Sequence, residues 1–277
     1  MCRWLAYNGG ALPLAELAFN ARNSLIDQSL AARSGNHTTN GDGFGVGWYG
    51  EPATPGLYRS TQPAWNDPNL YDLCQHVRSP LFMAHIRAST GTPIQHSNCH
   101  PFRKDHHLFV HNGVINEFMR IRRSLCQELN DEHFRSLLGT TDSELMFLLA
   151  MQSGLAQDPH RAVARMVGRV ETIGWEADIE HPMVMTLGIS DGEKLYAVRY
   201  ASDGDAPTLY HSPDLESLSV ELGPLAKERL EQMGANARCI VSEPLSEHHE
   251  LWTAIPVNSF VTVHQGEVQI EEFTPLH

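Results

Sequence analysis

Two hydrophobic periodicities divide the chain. From residue 182 onward apolar positions recur every second residue. Segments 184–189 and 194–200 flank Ser190-Asp191-Gly192-Glu193, which predicts a hairpin. Further strands are expected at 239–241, 260–263 and 268–270, the last two joined across Gln265-Gly266. Ahead of them, 144–151 and 160–170 carry the 3.6-residue repeat. In the second, Ala162, Val163, Met166, Val167 and Val170 share one face. Short apolar runs at 81–88 and 108–111 read as buried strands around a turn-rich link, and 44–49 as a glycine-rich strand. Residues 3–7 read as a strand entering Gly9-Gly10, 12–19 as a short helix with Pro13 in its first turn, and the polar stretch 34–43 as an exposed loop. Strands, then helices, then strands predict one α+β domain with layered sheets over 1–277. Its motif-bearing part covers about 2–151, and the strands of about 182–272 complete it.

Composition narrows the function classes. With 277 residues, 42% hydrophobic and 19% charged, the chain has an ordinary globular balance and can bury a sizeable core. A formal net charge of −13 argues against a nucleic-acid or anionic-membrane partner. No apolar run approaches the roughly 18 residues a membrane span needs, and no secretory leader is expected. The five cysteines are odd in number and none sits in a C-x-x-C pair, which suits a reducing cytosol better than a disulfide framework.

The chemistry starts at Met1-Cys2-Arg3. Removing Met1 would put a thiol and a free α-amine on Cys2, and the amine could accept the thiol proton near neutral pH. His85-Ile-Arg87-Ala-Ser-Thr90-Gly presents a guanidinium as a buried strand ends, suited either to an ordinary ion pair or to a substrate carboxylate. His111-Asn112-Gly113 follows a strand. It reads either as a turn or as a side-chain amide and a backbone N–H that could hold an oxyanion. Thr141 and Glu144 form a capping box, which leaves Asp142 free to meet an ammonium group. His96, Cys99 and His100 lack a second pair at zinc-type spacing, so no metal site is expected. Gly41-Asp42-Gly43-Phe-Gly45-Val-Gly47 does not match G-x-G-x-x-G and precedes a strand. Its glycines are expected to let the chain pass close to a substrate or to Cys2.

Taken in order, Met1-Cys2, Gly41-Asp-Gly-Phe-Gly, His85-Ile-Arg87, Asn98-Cys-His100-Pro101, His111-Asn112-Gly113 and Thr141-Asp142-Ser-Glu144 resemble the class II, N-terminal-cysteine glutamine amidotransferases. The resemblance covers roughly 1–151 and is looser beyond. It implies the four-layer αββα sandwich of the N-terminal nucleophile (Ntn) hydrolases. It also implies a Cys2 nucleophile with its own α-amine as base, and an oxyanion site at Asn112 and Gly113. Arg87 would grip the α-carboxylate of a glutamine-like substrate and Asp142 its amino group; Thr90 and His100 would belong to the same binding site, His100 in a supporting role. Ala88 and Gly91 depart from the larger sugar-phosphate synthases of the class. The opening Met-Cys-Arg and Cys239-Ile-Val-Ser-Glu-Pro244 look most like its small stand-alone members. The reading implies hydrolysis of a small-molecule γ-glutamyl amide through a Cys2 thioester with no cofactor, and leaves open a glutaminase subunit that passes ammonia to a partner protein, a non-catalytic γ-glutamyl-binding module, and a homo-oligomer.

Overall fold

The computed structural model describes residues 2–30, 39–89, 91–214 and 234–277. In chain order its strands are β1 (Arg3–Pro13), β2 (Phe44–Trp48), β3 (Gly56–Ser60), β4 (Arg78–Ile86), β5 (Phe102–Lys104), β6 (His107–Ile115), β7 (Met183–Ser190), β8 (Leu195–Ala201), β9 (Tyr210–His211), β10 (Arg238–Val241), β11 (Thr253–Ala254), β12 (Ser259–His264) and β13 (Glu267–Glu272). They form two antiparallel sheets. One has the order β11-β9-β10-β1-β4-β2-β3 and the other β13-β12-β8-β7-β6-β5.

Side-chain alternation along each strand decides what the sheets pack against. Trp4, Ala6, Leu81 and Met83 of the first sheet meet Leu108, Val110, Ala197 and Val261 of the second. The opposite face of the first sheet, including Leu5, Tyr7, Phe82 and Ala84, packs on helices α1 (Ala15–Ala18), α2 (Leu25–Leu30) and α3 (Pro68–His76) through Leu17, Leu25 and Leu70. The outer face of the second sheet, with Phe109, Ile115 and Leu187, packs on α4 (Phe118–Gln127), α6 (Asp142–Gln152) and α7 (Pro159–Glu176), while α5 (Asp131–Ser136) lies against α6. Three apolar layers between four layers of backbone make an αββα sandwich, as the resemblance implied.

Several expectations need correction. The helix expected at 12–19 begins only at Ala15, because β1 runs on through a register irregularity between Asn8 and Leu12 and ends at Pro13. The helix expected to stop at 170 continues to Glu176, because the carboxylate of Glu171 is buried and accepts hydrogen bonds from Tyr200 Oη at 2.7 Å and Ser202 Oγ at 2.6 Å. Asn112-Gly113 is neither a turn nor a strand end. It lies inside β6 and pairs with Thr186 and Met185 of β7. Residues 34–38 of the expected loop lie outside the described residues, and 39–43 carry no helix or strand.

The late hairpins match their turn chemistry. Asp191 accepts the N–H groups of Glu193 and Lys194 at 2.9 and 2.7 Å. Gln265 and Gly266 both have positive φ, as a tight two-residue hairpin turn requires.

Candidate active site

The site forms where β1 begins beside the end of β4. Arg3 pairs with Ile86, which sets Cys2 against Arg87 and Ala88. Cys2 Sγ accepts the N–H of Ala88 at 3.4 Å and lies 3.5 Å from its carbonyl oxygen. By alternation Cys2 shares a face with Trp4, the face that meets the second sheet. Burial pushes the Cys2 thiol up; the Ala88 N–H and the Arg87 charge oppose that shift, and the Asp142 carboxylate adds to it.

A buried clamp holds this first strand. Arg3 Nη1 donates to the Cys2 carbonyl oxygen at 2.9 Å, and Arg3 Nε donates to Glu243 Oε1 at 2.6 Å. The Arg3–Glu243 ion pair is closed at 2.6 Å with both side chains only 3% exposed. Ser242 exchanges two 3.0 Å bonds with the backbone of Trp4, through its Oγ and its N–H. Ser242 and Glu243 therefore extend the grip of β10 towards residue 2.

Arg87 is buried, and its guanidinium draws two loops together. Nη2 donates to Thr92 Oγ1 at 2.6 Å, Ser89 Oγ at 3.1 Å and the Pro93 carbonyl at 3.2 Å; Nη1 donates to the Asp42 carbonyl at 3.3 Å. The 42–43 segment answers with its backbone: Arg87 N donates to Gly43 O at 2.8 Å and Asp42 N to Arg87 O at 3.1 Å. Thr90, within this loop, lies outside the described residues, as does Met1.

In the second sheet, Asn112 and Gly113 sit on β6. A Cβ on Gly113 would collide with the Val184 carbonyl oxygen and fall 2.6 Å from His111 Nε2, so only glycine lets β6 lie this close to β7. Asp142 opens α6. Its Oδ2 accepts Ile115 N at 2.9 Å, and its Oδ1 accepts Ser143 N at 2.7 Å and Ser143 Oγ at 3.1 Å. Since the single Ser143 hydroxyl proton goes to Asp142, His111 Nδ1 is the donor in its 2.8 Å contact with Ser143 Oγ. Only half of the expected capping box is present. Thr141 Oγ1 accepts Glu144 N at 3.2 Å, but the Glu144 carboxylate turns back to Leu138 N and Gly139 N at 3.1 and 2.6 Å.

The imidazole of His100 is buried, stacked on His85 at 4.1 Å and set edge-on to Phe102 at 4.5 Å. Burial lowers the His100 pKa well below the ordinary range and that of His85 to about 3, so both rings are neutral. Among the described residues no three His, Cys, Asp or Glu side chains converge as a metal site. The glycine row also needs correction. A Cβ at Gly43 would lie 2.7 Å from Cys99 Sγ, and one at Gly45 would overlap the His100 carbonyl. These glycines admit the 99–101 loop rather than Cys2. Sequence reasoning named Asn98 only within a motif and gave it no role; it bonds Pro93 O and Thr140 Oγ1, each at 2.9 Å, and so ties the Arg87 loop to the start of α6.

Two antiparallel sheets between helical layers, with Cys2 set beside the end of β4, define an Ntn-hydrolase fold. Glutamine phosphoribosylpyrophosphate amidotransferase of B. subtilis shares it, with a TM-score of 0.64 at 12% identity over 99% of this chain and 49% of that one. A glutamine aminotransferase class-II domain protein from Silicibacter pomeroyi superposes with a TM-score of 0.75 at 32% identity, covering both chains completely. The probable glutamine amidotransferase DUG3 of Saccharomyces cerevisiae is 32% identical over 95% of this chain and 82% of its own length. The gamma-glutamyl-hercynylcysteine sulfoxide hydrolase of Mycolicibacterium smegmatis is 26% identical over 77% and 84%. Residues 14–276 match the class II glutamine amidotransferase family, and the chain belongs to it as an enzyme of that class. Among the described residues no helix is long and apolar enough to cross a membrane.

Proposed function

We propose that this enzyme hydrolyses the amide of a small-molecule γ-glutamyl compound through a thioester on Cys2. With Met1 removed, the α-amine of Cys2 takes the thiol proton as sulfur bonds to the γ-carbonyl carbon. The oxygen of the tetrahedral intermediate is received by the Asn112 side-chain amide and the Gly113 N–H. Collapse breaks the C–N bond, the ammonium returns the proton to the leaving amine, and a γ-glutamyl thioester remains. Water activated by the same amine then adds to the thioester and releases glutamate and the free thiol. Arg87 holds the α-carboxylate and Asp142 the α-ammonium group, with Thr90 and His100 in support. No cofactor enters the cycle, and the free cysteines suit the cytosol.

One observation carries this reading. The Cys2 sulfur accepts an N–H at the end of the Arg87 strand while feeling both the Arg87 and the Asp142 charges. The relatives named for glutamine and for a γ-glutamyl sulfoxide support the γ-glutamyl head and leave the leaving amine to experiment. The test is glutamate release across a panel of γ-glutamyl amides, from glutamine to γ-glutamyl-cysteine derivatives, with intact-mass analysis of the same preparation. The reading expects at least one good substrate and active protein lacking Met1. Full activity in protein retaining Met1 would overturn the role of the amine.

A further inference from the structure

Thr186 lies on the inner face of β7, fully buried between the two sheets. The indole Nε1 of Trp4 is 3.1 Å from its Oγ1. An indole N–H can only donate, so the hydroxyl is the acceptor there and keeps its own proton for another partner. That partner is the carbonyl oxygen of Asn112, 3.4 Å away across the β6–β7 pair. A buried hydroxyl left without an acceptor would carry the full cost of desolvation, which drives its proton toward that oxygen.

The Asn112 carbonyl belongs to the same peptide unit as the Gly113 N–H. A hydrogen bond accepted at the carbonyl polarises the peptide and strengthens the N–H on its other side, and it also fixes the plane in which that N–H points. Trp4 lies two residues after Cys2 and on the same face of β1. The strand that presents the sulfur therefore also anchors the peptide opposite it.

We propose that Thr186 is a positioning residue for oxyanion stabilisation. The Trp4 Nε1–H, the Thr186 hydroxyl and the Asn112 carbonyl form a relay that aims and strengthens the Gly113 N–H. This rests on the reading of Gly113 as an oxyanion donor. The relay contributes little to substrate binding and acts as the carbonyl becomes tetrahedral.

The test compares Thr186→Val, which keeps the shape and removes the hydroxyl, with Thr186→Ser, which keeps the hydroxyl. Each is measured for kcat, for KM and for the rate of Cys2 alkylation by iodoacetamide, a displacement that forms no oxyanion. The expected result for Thr186→Val is a kcat lower by about tenfold, a fraction of the 10²–10³ lost when an oxyanion donor is removed outright. KM and alkylation should stay within about twofold, and Thr186→Ser should recover most of the kcat. Wild-type kcat in Thr186→Val, or a loss shared equally by KM and alkylation, would overturn the proposal. Should Thr186→Val not fold, Trp4→Phe removes the head of the relay and should lower kcat a few-fold with alkylation unchanged; unchanged kcat there would count against it. Activity retained in Cys2→Ala would instead overturn the underlying reading of Gly113, whatever Thr186 does.

Discussion

Asp42 accepts the backbone N–H of Ser89 at 2.7 Å, one residue beyond the Ala88 N–H that points at the Cys2 sulfur. A carboxylate on the loop before β2 thus sets the turn that meets the nucleophile. Asp42→Ala should lower kcat/KM by about tenfold or more and cost about 1.5–3 kcal/mol of stability, the usual worth of a hydrogen bond to a charged group. Asp42→Asn keeps an acceptor oxygen and should fall in between. Steady-state kinetics beside denaturant unfolding checks both; an Asp42→Ala enzyme with wild-type kinetics would show that the turn holds itself.

The buried Arg3–Glu243 pair gives a prediction in which stability and turnover separate. Glu243→Gln leaves the Arg3 charge buried without its counter-ion and should destabilise by about 3–5 kcal/mol. Replacing both partners with apolar residues, as in Arg3→Met with Glu243→Leu, should recover much of that stability. Turnover should stay low, because Arg3 no longer holds the Cys2 carbonyl. Urea unfolding and glutamate release, run on the same three proteins, would reveal whether the two quantities part.

Asp142 combines a structural bond with a proposed charge contact. Asp142→Asn retains an oxygen for the Ile115 N–H and removes the negative charge. The expected outcome is a KM about 10–100-fold higher with the fold intact, matching about 1.5–3 kcal/mol for a charge-assisted contact. An unchanged KM would mean that the substrate ammonium group is held elsewhere.

His85, His100 and His111 are all buried, and burial lowers the pKa of each, that of His85 to about 3. Each binds a proton less readily in the fold than in the unfolded chain, so below about pH 6.5 the unfolded chain binds more protons. Their contribution to stability is complete above that pH and declines as pH falls towards the folded values. Between pH 6 and 4, His85 should add a slope of up to about 1.4 kcal/mol per pH unit. His85→Gln, which keeps an N–H for the His111 carbonyl, should flatten the stability–pH curve by one such step in urea titrations. An unaltered slope would contradict the burial argument.

The layered fold was legible because its signals are local. Apolar runs marked β4 and β6, alternation marked β7 and β8, and short motifs singled out Cys2, Arg87, Asn112-Gly113 and Asp142 as candidates. The supports were not legible, since they join residues far apart in sequence: Arg3 to Glu243, Trp4 to Thr186, Asp42 to Ser89. Nothing near Glu171 announces Tyr200 and Ser202, so a charged residue looked like the end of a helix that in fact runs on. Asn112-Gly113 was ambiguous for a similar reason. Only the Val184 carbonyl lying where a Cβ would be explains a glycine in mid-strand.

The most direct test is glutamate release by purified Cys2→Ala on the best γ-glutamyl amide, beside wild type and with circular dichroism to confirm the fold. The account predicts a folded protein with no turnover above background. Glutamate released by that variant at the wild-type rate would contradict it.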